Sequence, residues 1–212
     1  MRKLIKGLLW TAGILALILG VLRATVLDVW TVPSDPRLAA AAGPTLQGGD
    51  VVVVLTRGTP ELGELVRCPD PETPQAYVIG RIAGFEKDIV EIDAGTLYLN
   101  NKRFGSESSC PKSSFTIEHP TSGSEIEMKC DVVPIGGGWH YRGTANRASP
   151  IAKTHTEVGR GMVYLLSDNR DYHDDSRDFG TLPRSSCTQR VVFRLWGKSG
   201  FNDAEHRFTY IH

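Results

Sequence analysis

Apolar positions in this chain follow two different rhythms. From Gly7 to Leu22 sixteen uncharged residues run between Lys6 and Arg23, apolar on every side rather than in a stripe. Sixteen residues rise ~24 Å as a helix, slightly less than a ~30 Å hydrocarbon core. Snorkelling of Lys6 and Arg23, and the apolar continuation Ala24 to Leu27, extend the stretch, so residues 7–27 are predicted to span a membrane. Arg2, Lys3 and Lys6 precede the span, which places residues 1–6 in the cytoplasm and the remainder outside. A cleavable signal peptide begins in the same way. Here no small-x-small site follows and Arg23 stands where one is expected, which favours a retained anchor.

Beyond Asp28 the rhythm becomes that of short strands. Val51–Leu55 is apolar and mostly β-branched, the pattern of a buried strand. Further strands are predicted at 76–84, 89–93, 162–166 and 190–196, with an edge strand at 206–212. Ala94-Gly95 turns 89–93 into a strand over 96–102. Pro33 and Pro36 read as forbidding a regular helix, and 62–75 reads as a Pro-rich loop. From about Gly105 to Ala152 the chain becomes rich in Ser, Gly, Thr and Pro with short alternating pieces, as in a small inserted lobe. The predicted organisation is therefore an all-β fold: a β-domain over 28–104 and 153–212, an inserted β-lobe over 105–152, and one N-terminal transmembrane helix.

Composition adds little to this outline. The 24 basic and 24 acidic side chains cancel, giving no electrostatic argument for nucleic acid as a partner. The 22 Gly and 12 Pro suit many short strands. Four cysteines, none in a Cys-x-x-Cys pair, favour disulfides over zinc in an exported domain. Of three possible pairings, Cys110 with Cys130 and Cys68 with Cys187 is preferred.

The densest chemistry lies in Ser167 to Gly180, between two apolar runs. Asp168 to Asp178 holds five Asp, Arg170, Arg177 and His173. Interleaved charges at this spacing predict an ordered loop, with Arg170 and Arg177 making two-pronged bonds to neighbouring carboxylates. Asp175 with Arg177 reads as a structural ion pair. A calcium site is the weaker alternative, because the arginines compete for the carboxylates; no metal and no cofactor is assigned.

Four pieces then stand in one order: an N-terminal anchor running into Pro33-Ser34; Pro44-Thr45-Leu46-x-x-Gly49-Asp50; Arg81-Ile82-Ala83-Gly84 leading to Val90-Glu91-Ile92; and Asp168-Asn169-Arg170-Asp171 with Asp175-Ser176-Arg177-Asp178-Phe179-Gly180. Together they resemble the bacterial type I signal peptidases, the membrane-anchored leader peptidases. That resemblance implies an all-β catalytic domain on the outer, periplasmic side of the plasma membrane. It also implies cleavage of signal peptides from exported preproteins after small-x-small sites, by a serine nucleophile and a lysine base kept neutral by burial. The nucleophile position, three residues before Pro44, is Ala41, and the lysine position, before Arg81, is Gly80. Neither residue supplies the group its place requires. Ser34 and His173 are the candidate replacements, as nucleophile and base. Asp168, Arg170, Asp175 and Arg177 would support the cleft. Substrate would lie extended beside 78–83, against Val78, Ile79 and Ile82, with an oxyanion site at the amides of 41–43. A catalytically inactive paralogue that binds extended peptides or assists an active peptidase is the alternative.

Overall fold

A computed structural model describes residues 2–73, 75–146 and 152–212. Met1 of the predicted cytoplasmic segment, Pro74 of the predicted loop, and 147–151 of the predicted lobe lie outside the described residues.

The first helix, α1 (Arg2–Thr25), contains the stretch Ile5–Arg23, which is long and apolar enough to cross a membrane and is not buried against the rest of the described residues. It ends before Leu27, which already pairs with Leu55 as the first residue of β1 (Leu27–Thr31). A second helix, α2 (Pro36–Ala42), follows where the prolines were expected to prevent one. Pro36 occupies the first turn, where a helix has no use for the missing N–H. The Asp35 side chain caps that turn, accepting from the Leu38 amide at 2.9 Å. Leu38 and Ala42 then pack with Val32, Leu46 and Ile79.

Strands β2 (Val51–Leu55), β3 (Leu65–Pro69), β4 (Tyr77–Phe85), β5 (Ile89–Asp93), β6 (Thr96–Leu99) and β7 (Lys102–Phe104) come next. The run expected as one strand from Thr96 to Lys102 is divided. Asn100 and Asn101 take φ of 51° and 66°, the left-handed pair that turns a two-residue hairpin, so β6 folds back on β7. β3 also corrects the expected loop over 62–75. Arg67 interrupts its apolar pattern, yet the side chain is buried. Its guanidinium lies 4.9 Å and 4.5 Å from the ring centres of Trp30 and Tyr77 and donates to Asp28 and Gln189. A charge held in this way is compatible with an interior strand.

The chain continues through β8 (Ser108–Glu118), β9 (Glu125–Ile135), β10 (Gly138–Ala145), β11 (Thr154–Glu157), β12 (Met162–Leu166), α3 (Ser176–Phe179), β13 (Leu182–Pro183), β14 (Gln189–Trp196) and β15 (Thr209–Tyr210). The main sheet runs β1-β2-β14-β3-β4-β12-β13, and β15 shares an edge of β14 with β3. β5, β6, β7 and β11 make a second sheet, and β8, β9 and β10 form the lobe. Disulfides join Cys68 to Cys187 and Cys110 to Cys130, the preferred pairing. The β9–β10 turn needs glycine: Gly136 has φ +63°, and a Cβ there would fall 1.7 Å from the Leu62 carbonyl oxygen. The run Val51–Leu55 is buried on one face only. Val52 and Val54 are fully buried, whereas Val51, Val53 and Leu55 remain partly exposed.

Candidate functional site

The polar loop after β12 forms a wall whose charges satisfy one another. Arg81, from β4, donates through Nε to Asp168 Oδ1 at 2.6 Å and through Nη2 to Oδ2 at 3.0 Å; its third nitrogen donates to the Gly63 carbonyl. Thr45 Oγ1 adds a bond to Asp168 Oδ2 at 2.5 Å. Three segments distant in sequence thus converge on one buried carboxylate. Asp175 takes a second two-pronged bond, from Arg177 Nε and Nη2 at 2.9 and 2.8 Å, and accepts the Ser167 amide. It also caps α3, with Asp178 returning the bond to the Asp175 amide. Burial raises the Asp175 pKa, but the hydrogen bond and charge of Arg177 outweigh it and hold the carboxyl below its ordinary value.

Arg170 departs from its expected role, because it makes no two-pronged bond to a carboxylate. Its guanidinium donates to the Ser167 carbonyl and lies 3.2 Å from His140 Nε2. The reason is position: Arg81 and Thr45 already occupy the nearest acid, Asp168. Burial pushes Arg170 down to about 9, which still leaves it charged at neutral pH. His140, on β10, is buried beside it. Burial first, then Arg81, Arg170 and Arg142, hold its pKa well below the usual value, so the ring is neutral. His140 and Thr45 are the wall members that inspection of the loop alone does not find. Thr45 sits in the quoted Pro-Thr-Leu piece, but His140 has no local signal between Trp139 and Tyr141.

The wall meets α2 and the lobe through backbone. The Asn169 amide donates to the Ala41 carbonyl at 3.1 Å, and Gly143 of β10 exchanges bonds with Asp168 and Arg170 at 2.9 Å each. Ala41 is therefore at the wall, 1% exposed, on the last turn of α2. A helix turns the amides of 41 and 42 into its own hydrogen bonds, so they are not the open donors expected of an oxyanion site. Gly80 lies in β4 opposite Val66. A Cβ built on it would stand 3.1 Å from the Leu165 Cβ of β12, so a side chain there would require Leu165 to yield by a few tenths of an ångström.

The two proposed replacements do not share a cavity. Ser34 lines one of about 160 Å³ with Pro36, Ala40, Pro44, Phe115 and Lys198, and His173 is not among its lining residues. His173 Nδ1 is instead 2.7 Å from Asp178 Oδ2. His173, Asp175 and Asp178 bring possible ligand atoms within 4.8 Å of one another, but both Asp175 oxygens already accept from Arg177. Val78, Ile79 and Ile82 are all buried. β12 pairs with β4 only from Arg81 onward, so Tyr77–Gly80 have β3 on one edge and, among the described residues, no strand on the other.

The profile of the family described as "Signal peptidase, peptidase S26" matches residues 5–196, most of the chain. This chain belongs to that family. Among its signal peptidase relatives, the probable signal peptidase I-1 of Synechocystis is 26% identical over 215 residues, covering 96% of this chain and 87% of that protein. Signal peptidase IB of Staphylococcus aureus is 26% identical over 131 residues, 62% of this chain and 58% of the relative. Subunit 1 of the mitochondrial inner membrane protease of Xenopus tropicalis is 38% identical over 53 residues, 25% of this chain and 32% of that protein. The match thus spans somewhat over half of the S. aureus protein and about a third of the X. tropicalis one. A mainly β signal peptidase family fold with one apolar N-terminal helix fits a membrane-anchored protein.

Proposed function

We propose that this chain is a non-cleaving member of the signal peptidase family that binds extended segments of exported preproteins. The observation that carries the reading is the nearness of Leu165 to Gly80, 3.1 Å from where a side chain would begin. Glycine supplies no amine at the place of the general base, and Leu165 crowds the space a side chain would enter there. Ala41 offers a buried methyl group at the place of the nucleophile.

Binding does not need those groups. An extended peptide adding along Tyr77–Ile79, where β12 does not pair with β4, would make main-chain hydrogen bonds regardless of catalysis. The signal peptides named for the relatives are the substrate class that suits such an edge. The wall at Asp168, Arg170, Asp175 and Arg177 holds β4, α2 and the lobe in register around it. With α1 in the plasma membrane and basic residues in front of it, the β-domain faces outward and meets chains as they emerge.

The test uses the full-length chain in detergent micelles with a fluorescent preprotein carrying a small-x-small site. The expected result is retention of the preprotein without cleavage. Robust cleavage that disappears with Ser34→Ala or His173→Ala would overturn the proposal and assign the chemistry to those side chains. Neither retention nor cleavage would leave no peptide function at this edge.

A further inference from the structure

The lobe offers a second strand edge, on the far side of α2 from β4. Phe115, Thr116, Ile117 and Glu118 of β8 all line the cavity of about 160 Å³ that also borders Ser34. Successive side chains of a strand point to opposite faces, so consecutive residues share one cavity only where it runs along their backbone edge. β8 is the outermost strand of its sheet and pairs with β9 alone. Among the described residues, no backbone bond reaches the other edge of 115–118. Edge groups left in this way are a template for a further strand.

Across the cavity stand small residues and a charge. Ala39 and Ala40 of α2, with its cap Gly43, leave room for a second backbone to approach. Lys198 forms one rim. Its stem lies over Gly49, where a Cβ would fall 3.2 Å from the lysine Cγ, and its amino group has no ion pair among the described residues. Glu118 stands on the strand side, opposite Glu125 in register. α2 separates this edge from that of β4: Leu38 and Ala42 share a core cluster with Ile79, and Ala40 shares another with Ile117. A helix is ~10 Å across, the reach of about three extended residues.

We propose that 115–118 is a second strand-addition subsite, and that an extended preprotein held at β4 crosses α2 and continues along β8. Small side chains lie over Ala39 and an acidic one faces Lys198. The proposal rests on the peptide-binding reading above and adds where the rest of the bound chain runs and what charge it carries. Lys198 lies beyond residues 5–196, the extent of the family match. Two short edges gripping one chain bind it more tightly than either does alone.

The experiment incubates the full chain in detergent micelles with a preprotein carrying a photoreactive phenylalanine analogue at successive positions, and maps the adducts by mass spectrometry. Two sets of adducts are expected, on peptides bearing 77–79 and 115–118, from preprotein positions about three or more residues apart. Ala39→Phe, which fills the cavity from a half-buried position, should remove the 115–118 adducts, keep those at 77–79 and weaken retention roughly tenfold. Lys198→Glu, at the exposed rim, should reverse the preference between preproteins bearing Asp and Lys at the facing position, by about threefold each way. This variant decides if Ala39→Phe does not fold. Adducts at 77–79 alone, or a preference that Lys198→Glu leaves unchanged, would overturn the second subsite while the first stands. Adducts at neither edge would overturn both it and the peptide-binding reading.

Discussion

The wall at Ser167–Phe179 and the α2–β4 floor touch at Asn169 and Ala41, yet they are built on opposite principles. In the wall, carboxylates and guanidiniums are buried and matched: Asp168 with Arg81, Asp175 with Arg177. In the floor, the two positions where the family resemblance calls for polar groups carry a methyl group and a hydrogen atom, and apolar packing has taken their place. Buried ion pairs hold segments in one arrangement only while both partners remain, since loss of one leaves a charge unpaired in the interior.

The comparison breaks most visibly if the wall is not a framework. Asp168→Ala leaves the Arg81 guanidinium buried without its acid. The expected loss is about 3–5 kcal/mol of unfolding free energy, read by urea denaturation of the full chain in micelles. A loss below about 1 kcal/mol would mean that water or another group replaces the carboxylate. Next comes the floor. Gly80→Lys should cost about 1–3 kcal/mol by overpacking against Leu165 and restore no cleavage, even with Ala41→Ser. Adding Leu165→Gly, which removes that Cβ, should couple favourably with Gly80→Lys; strict additivity of the two substitutions would place the clash elsewhere.

A smaller effect sharpens the electrostatic side. His140 has a depressed pKa in the folded chain, while the unfolded chain takes up a proton below about 6.5. The unfolded state then binds more protons, so the His140 contribution is complete above that value and is lost as pH falls below it, with a slope of up to about 1.4 kcal/mol per pH unit. Asp175 is also depressed, but its contribution is lost only below the usual carboxylate value of about 3.9. Asp174, pushed up by burial, and Glu91, held down chiefly by its bond to His155, also change protonation within that window, so the histidine is read by difference against a variant. His140→Gln should flatten the fall in midpoint there, and an unchanged slope would show that another group titrates. The smallest effect is expected at Ser34→Ala, within about 0.5 kcal/mol of the unmutated chain.

Much of the wall was legible because interleaved charges at short spacing have few solutions other than pairing one another, as Asp175 and Arg177 do. The partner of Arg170 was not, because His140 lies thirty residues away on β10, which meets the loop through long-range contacts such as Gly143–Asn169. The residue types at Ala41 and Gly80 could be read directly, whereas the nearness of Leu165 to Gly80 required the three-dimensional packing of β12 against β4. β3 was hidden by Arg67, a charge that signals solvent unless its aromatic sandwich is known. α2 was hidden by Pro36, a breaker within a helix but an initiator at its first turn. The anchor and the Val-rich strand were plain, since long apolar and β-branched runs have few alternatives.

The place of β14 has a consequence for the order in which the protein can be made. It lies between β2 and β3, which precede it in sequence by well over a hundred residues. A chain produced from its N-terminus therefore carries both strands with edges unmatched until its last fifth has emerged. During that interval Cys68 must wait for Cys187 while Cys110 and Cys130 are already present. Oxidation that followed the order of emergence would join Cys68 to Cys110, whereas closing the Cys110–Cys130 pair first, 20 residues apart, leaves Cys68 for Cys187.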